Sequence, residues 1–140
     1  MALRASQLSV GDRFERVVAR DLPRTQLVMY AGASGDFHPF HSDEAFARAA
    51  GSDRGVFAHG MLTMALAGKL LTDTVGDGRL THYGAQFRAT VWPGDSITAH
   101  ASVTALREEQ GDHFVDLELR AVNQDGETVL TGNASARIDA

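Results

Sequence analysis

The sequence predicts an α+β domain in which a curved antiparallel β-sheet wraps one long central α-helix. Three observations predict it. Residues 58–75 carry Met61, Leu62, Met64, Ala65, Leu66, Ala67, Leu70 and Leu71 around most of a helical circumference, and a helix apolar on so many sides is normally buried. After Gly78 the pattern changes to alternation of apolar and polar residues, the period of strands with one wet face. The dry face needs a cover, and the 58–75 helix is the only large apolar element available. The 140 residues contain no repeat, low-complexity tract or linker, so a single domain over 1–140 is expected.

Taken in order, Arg13–Asp21 is a weak strand candidate after the turn-like Gly11-Asp12. Pro23 can open a helix with a short apolar stripe (Leu27, Val28, Tyr30, Ala31) that ends near Gly32–Gly35. Pro39 has no backbone donor and disfavours helix at His38, which makes Asp36–His41 a turn or loop. Ser42 or Asp43 can cap a short helix through Ala49 with Gly51 as its stop. The central helix is expected from about Ala58 to Val75, ended by Gly76-Asp77-Gly78.

Four alternating strands follow, centred on Tyr83–Val91, Ile97–Ala105, Val115–Ala121 and Leu130–Ile138. The turn residues Pro93-Gly94-Asp95, Gly111-Asp112 and Asp125-Gly126 separate them, which reads as an antiparallel meander. In this alternation His100 falls on the wet face, and His82 and His113 have no partner visible in sequence.

Composition removes several function classes. The chain has 13 basic and 18 acidic residues, for a net charge of −5. Nucleic-acid binding is therefore not expected, since it calls for a basic patch or stripe. With no cysteine, thiolate catalysis, disulfide scaffolding and cysteine zinc sites are excluded. The stretch Met1-Ala2-Leu3-Arg4-Ala5 lacks the apolar core of a signal peptide. His59, Thr63 and Lys69 interrupt the most apolar segment, so no membrane span is expected and a cytoplasmic location is the default.

The segment Tyr30…Ser34-Gly35-Asp36…Pro39…His41…Asp43 resembles the hydratase motif of the MaoC-like (R)-specific enoyl-CoA hydratases. Two weaker stretches agree in order: Ala58-His59-Gly60-Met61-Leu62 at the head of the central helix, and Val91-Trp92-Pro93-Gly94-Asp95 approaching a hairpin. The resemblance implies the hotdog fold, an antiparallel sheet around a long helix. It also implies a dimer with sites at the interface, either a homodimer or a heterodimer with a related hotdog subunit. The activity implied is (R)-specific hydration of trans-2-enoyl thioesters of CoA or acyl-carrier protein, or the reverse dehydration of 3-hydroxyacyl thioesters. Neither a cofactor nor a metal is expected. Alternatives are a hotdog thioesterase, or one subunit of a heterodimeric dehydratase.

By this resemblance Asp36 and His41 are the catalytic pair, activating water between them. A carboxylate and an imidazole can share such proton traffic, and the break at Pro39 allows residues five apart to converge. Gly60 is assigned the oxyanion role: a first helical N–H has no internal partner, the helix dipole favours negative charge, and glycine allows close approach. Each assignment has a structural rival. Asp36 could be an Asx-turn residue, His41 a surface histidine, and Gly60 a packing glycine. His59 is equally a substrate contact or a residue that settles the helix entry. Phe57, with Phe37 and Phe40, could line an acyl tunnel or the core. His38 stands where the family usually has asparagine, which brings a titratable ring beside the pair. Gly68 is a second departure, at a place where some relatives carry a polar residue facing the catalytic loop.

Overall fold

In the computed structural model, which describes residues 3–140, five strands and three helices follow one another in the chain. Met1 and Ala2, the start of the stretch read above for a signal sequence, lie outside the described residues. Strand β1 is Arg13–Ala19, helix α1 Arg24–Ser34 and helix α2 Glu44–Ala49; a 3-10 turn at Pro39–His41 lies between the two helices. The central helix α3 is Gly60–Val75. Strands β2 (Leu80–Phe87), β3 (Ile97–Glu109), β4 (Asp112–Val122) and β5 (Thr128–Ile138) complete the sheet. Among the described residues no helix is long and apolar enough to cross a membrane.

Helix α3 begins two residues later than the sequence pattern suggests. The N–H of Ala58 donates to Val91 O at 2.9 Å, and His59 is extended (φ −57°, ψ 136°). The non-helical ψ of His59 is what starts the helix at Gly60, and Ala58 pairs instead with the segment at Val91. The remaining 16 residues span about 24 Å. The helix is also not encircled: Leu62, Ala67, Leu70, Leu71 and Val75 are buried, whereas Met61 and Ala65 lie on an exposed stripe.

The sheet order is β1-β3-β4-β5-β2, antiparallel throughout. Only β3, β4 and β5 therefore form the expected meander. Strand β2 pairs with β5, from Phe87 opposite Leu130 to Leu80 opposite Ala136, and β1 takes the open side of β3. The segment between β2 and β3 is a crossover rather than a hairpin. Strand β2 stops at Phe87 instead of reaching Val91, because the N–H groups of Arg88 and Ala89 both turn to Val129 O. Beyond it, the turn at Pro93-Gly94-Asp95 is held by the buried Asp95 carboxylate, which accepts from Trp92 N and Gln124 Nε2. Leu22 pins this turn from outside: its N–H donates to Asp95 O, and its O accepts from Gly94 N.

The concave face explains how α3 can sit so close to the sheet. Ala99 and Ala101 (β3), Ala121 (β4), and Ala134 and Ala136 (β5) are buried there, beside Val103, Val115, Leu117, Leu119 and Leu130. Small side chains leave room for Leu62, Leu70 and Leu71 to fill the gap at interior density. Two helix glycines meet two strand aromatics in the same way. A Cβ on Gly60 would lie 2.8 Å from the Phe87 ring, and one on Gly68 would lie 2.8 Å from the Tyr83 ring. Eight helical residues rise about 12 Å and four strand residues about 13 Å, so the two contacts are in step. Gly68 therefore faces Tyr83 and not the Asp36–His41 loop. The Tyr83 hydroxyl donates to Met64 O at 2.7 Å, and burial pushes its pKa up to about 12, which keeps the donor protonated.

Candidate active site

Helix α1 ends on Gly35 in the left-handed conformation (φ 76°), which turns the chain into the loop that carries Asp36. Asp36 N–H donates to Ser34 Oγ at 3.1 Å, and Asp36 Oδ1 accepts from His38 N at 3.2 Å. The Asx-turn reading of Asp36 thus holds for one oxygen. The other, Oδ2, faces His41 Nε2 at 3.8 Å. Asp36 is exposed while His41 is partly buried. Pro39 opens the 3-10 turn that swings His41 back toward the aspartate, the break that five-residue spacing requires.

His41 is held from behind by main chain. Its Nδ1 lies 2.7 Å from Phe57 O, which accepts the proton there and leaves Nε2 as a bare acceptor toward Asp36. Burial holds the His41 pKa below the usual histidine value, and the nearby His59 pushes the same way. The Phe57 carbonyl and the Asp36 carboxylate partly oppose them. The imidazole is accordingly neutral at pH 7.

Two acceptors 3.8 Å apart cannot bond each other directly. They can each take a hydrogen bond from one water placed about 2.8 Å from both. A shared water with its protons on a carboxylate and a neutral imidazole is poised for general-base activation.

His59 lies beneath the pair. It is 1% exposed, its ring stacks on His41 with centroids 3.8 Å apart, and its Nε2 is 3.1 Å from Asp36 O. The edge of Tyr30 closes the other side at 4.8 Å. Gly60 follows His59 as the first residue of α3, so its N–H has no intrahelical acceptor. Phe57 contributes twice: its O holds His41, and the residue lines a cavity of about 300 Å³ together with Gly60, Thr63, Phe87, Val91 and Val129. Asp36 and His41 adjoin this cavity through Phe57 and Gly60 rather than lining it.

The remaining candidates are set differently. Phe37 is 71% exposed, and Phe40 packs on His38, Phe46 and Phe57, so neither lines the cavity. His38 is exposed and its ring serves the local turn: Nδ1 accepts from Phe40 N at 3.3 Å. It acts on Asp36 through its backbone N–H alone. On the sheet, His82 bonds Asn133 and His100 pairs with Glu15.

Asp36, His41 and His59 bring donor atoms within 4.8 Å of one another, a possible divalent-cation donor set. The geometry does not fit one. The two imidazole planes differ by only 23° and are stacked, so their in-plane lone pairs cannot meet on one ion at the distances of about 2.0–2.1 Å that zinc requires.

Glu44 ties the surrounding elements together and left no signal in the sequence pattern. Its carboxylate accepts from Arg24 of α1, Arg48 of α2 and Val56 N. The Arg24 hydrogen bond, followed by the Val56 N–H, holds its pKa below the usual glutamate value. A group depressed in the folded state stabilises fully above its unfolded pKa, and that contribution is lost as pH falls through the folded value. Gly55 leaves the space this needs: a Cβ there would lie 1.8 Å from Glu44 Oε1.

A family model described as MaoC like domain matches residues 5–124. The chain is 31% identical over 136 residues to the (R)-specific enoyl-CoA hydratase of Aeromonas caviae, covering 96% of this chain and 98% of that protein. It is 29% identical over 132 residues to the mitochondrial 3-hydroxyacyl-[acyl-carrier-protein] dehydratase of Arabidopsis thaliana, covering 92% and 76%. Among solved structures, the (R)-hydratase from A. caviae involved in PHA biosynthesis superimposes with a TM-score of 0.85 at 32% identity, covering 96% of this chain and 99% of that one. An unliganded R-hydratase from Pseudomonas aeruginosa gives 0.84 at 27% identity, covering 96% and 84%.

Proposed function

The chain belongs to the MaoC-like domain family, and from that premise we propose that it is a hydro-lyase adding water to trans-2-enoyl thioesters with (R) specificity, or removing it from (R)-3-hydroxyacyl thioesters. Its relatives are named for both directions of this chemistry. The observation that carries the reading is the 3.8 Å gap between Asp36 Oδ2 and His41 Nε2, beside the free N–H that opens α3.

In this reading the water held between Asp36 and His41 gives up a proton as its oxygen attacks Cβ. The same pair returns a proton to Cα. The Gly60 N–H accepts no charge itself but donates to the thioester oxygen as enolate character develops, a contribution of about 3 kcal/mol for a preorganised donor. No step calls on a group beyond these residues and water. The test is loss of the conjugated enoyl absorbance with crotonyl-CoA on the purified chain. Turnover supports the reading; release of free thiol without hydration would replace it with a thioesterase.

The physiological unit in this proposal is a dimer of two such chains. Strand β2 is an open sheet edge, and its last residue, the exposed Phe87, also lines the cavity. A second β2 would cover that side chain and satisfy the edge. Light scattering on the purified chain should return twice the 15.0 kDa chain mass. A monomer that gains activity only with a companion protein would favour the heteromeric form.

A further inference from the structure

We propose that His59 is a positioning residue that holds both members of the catalytic pair at once, through its Nε2–H on the Asp36 backbone and its ring face against His41. The inference rests on the hydratase reading above and extends it to a residue that touches no reacting atom.

His59 occupies the N-cap position of α3 and makes no side-chain cap hydrogen bond. Residues at that position ordinarily turn a side-chain oxygen onto the first N–H groups of the helix. Here the side chain goes the other way, across the 23-residue separation to Asp36 O. That contact requires the proton on Nε2. Nδ1 is then buried without a partner, which a residue serving only to fill space would avoid. The arrangement gives up one hydrogen bond in order to set the ring in a particular place.

What that place does is visible in the neighbours. From α1, the Tyr30 ring edge wedges His59 at 4.8 Å. From the loop, the Asp36 carbonyl takes its N–H and the Asp36 carboxylate stands within the 4.8 Å cluster. From the 3-10 turn, His41 lies flat on it at 3.8 Å, with His38 beyond, 6.3 Å from His41. If His59 loses its N–H, the Asp36 loop loses its anchor. If it loses its ring, His41 loses the surface that sets its tilt. Two imidazoles in face contact also resist carrying two protons, so His59 favours the neutral His41 that the reaction uses.

The test combines rate profiles with a direct look at the rings. His59→Phe keeps a ring face and removes the donor, whereas His59→Gln keeps a donor and removes the ring. We expect kcat to fall on the order of a hundredfold in His59→Phe, the size of a small misplacement of catalytic groups, with KM little changed. His59→Gln should recover part of that loss. In both variants the acid limb of kcat/KM should move to higher pH, because no second imidazole then opposes protonation of His41. Unchanged rates, or lowered rates with an unmoved acid limb, would overturn the role. Nitrogen NMR of the unmodified protein at pH 8 supplies an arm that needs no variant. His59 should show the Nε2-protonated tautomer, and an Nδ1-protonated ring would refute the contact. If the unmodified protein hydrates no enoyl thioester, the hydratase reading fails while the tautomer still decides the contact.

Discussion

Asp36→Asn and His41→Gln should each lose about 10²–10⁴-fold in kcat for enoyl-thioester hydration, the range of a lost general acid or base. Both replacements spare the scaffold. Asparagine retains an oxygen for the His38 N–H that Asp36 Oδ1 now accepts, and glutamine retains an N–H for Phe57 O. Melting temperatures should therefore move little, which separates lost chemistry from lost folding. The double variant should be scarcely worse than either single one, since residues that act as a unit are not additive. The pH dependence adds a sign. Asp36 raises the His41 pKa against the larger effect of burial. Residual activity in Asp36→Asn should accordingly keep its acid limb at lower pH than the unmodified protein. Full turnover in either single variant, measured with crotonyl-CoA, would remove that residue from the mechanism.

Gly60→Ala should cost on the order of a hundredfold in kcat, comparable to losing one oxyanion donor. The added methyl would lie 2.8 Å from the Phe87 ring and, in the proposed reading, would crowd the thioester oxygen at the helix N–H. Two explanations for that glycine make the same single-variant prediction, and a second substitution parts them. Phe87 is half exposed at the cavity mouth. Trimming it in Gly60→Ala/Phe87→Ala removes the ring clash and leaves the methyl beside the N–H. Close approach of substrate predicts that the double variant stays slow. Packing alone predicts that it recovers, and recovery to the rate of Phe87→Ala would end the oxyanion assignment.

How far the sequence could be read depends on whether the signal is local. The alternation in β3, β4 and β5 reports a face for every side chain, and the buried set Ile97, Ala99, Ala101 and Val103 follows it. Alternation does not report a partner. Nothing near Tyr83 states that β2 will lie against β5, because that choice is made by the crossover held at Leu22 and Asp95. The start of α3 is hidden for the same reason: Ala58 is apolar and fits the helical stripe, yet the backbone turns extended at His59 and the Ala58 N–H pairs with Val91 O.

The site divides along the same line. The motif resemblance singles out Asp36, His41 and Gly60; the structure sets Asp36 and His41 3.8 Å apart across the break at Pro39 and makes Gly60 the first residue of α3. Phe57 was noticed for its ring, while its carbonyl fixes the His41 tautomer. A backbone acceptor has no residue type, so sequence cannot announce it. His59 looked like either a ligand contact or a helix entry, since only folding brings it under His41 from a separate segment. Glu44 is one of many acidic residues until α1, α2 and Val56 converge on it.

The gap between Asp36 Oδ2 and His41 Nε2 has a bearing on chemoselectivity. Both atoms face it as acceptors, 3.8 Å apart. A molecule held there must bring two protons of its own. Water does. An alcohol has a single hydroxyl proton and would leave one acceptor unmet, and a thiol donates only weakly. Leaving such a group unpaired is the kind of mismatch by which polar sites reject analogues most strongly. Proton inventory, rather than pocket size, would then keep cellular alcohols and thiols from adding across the same double bond.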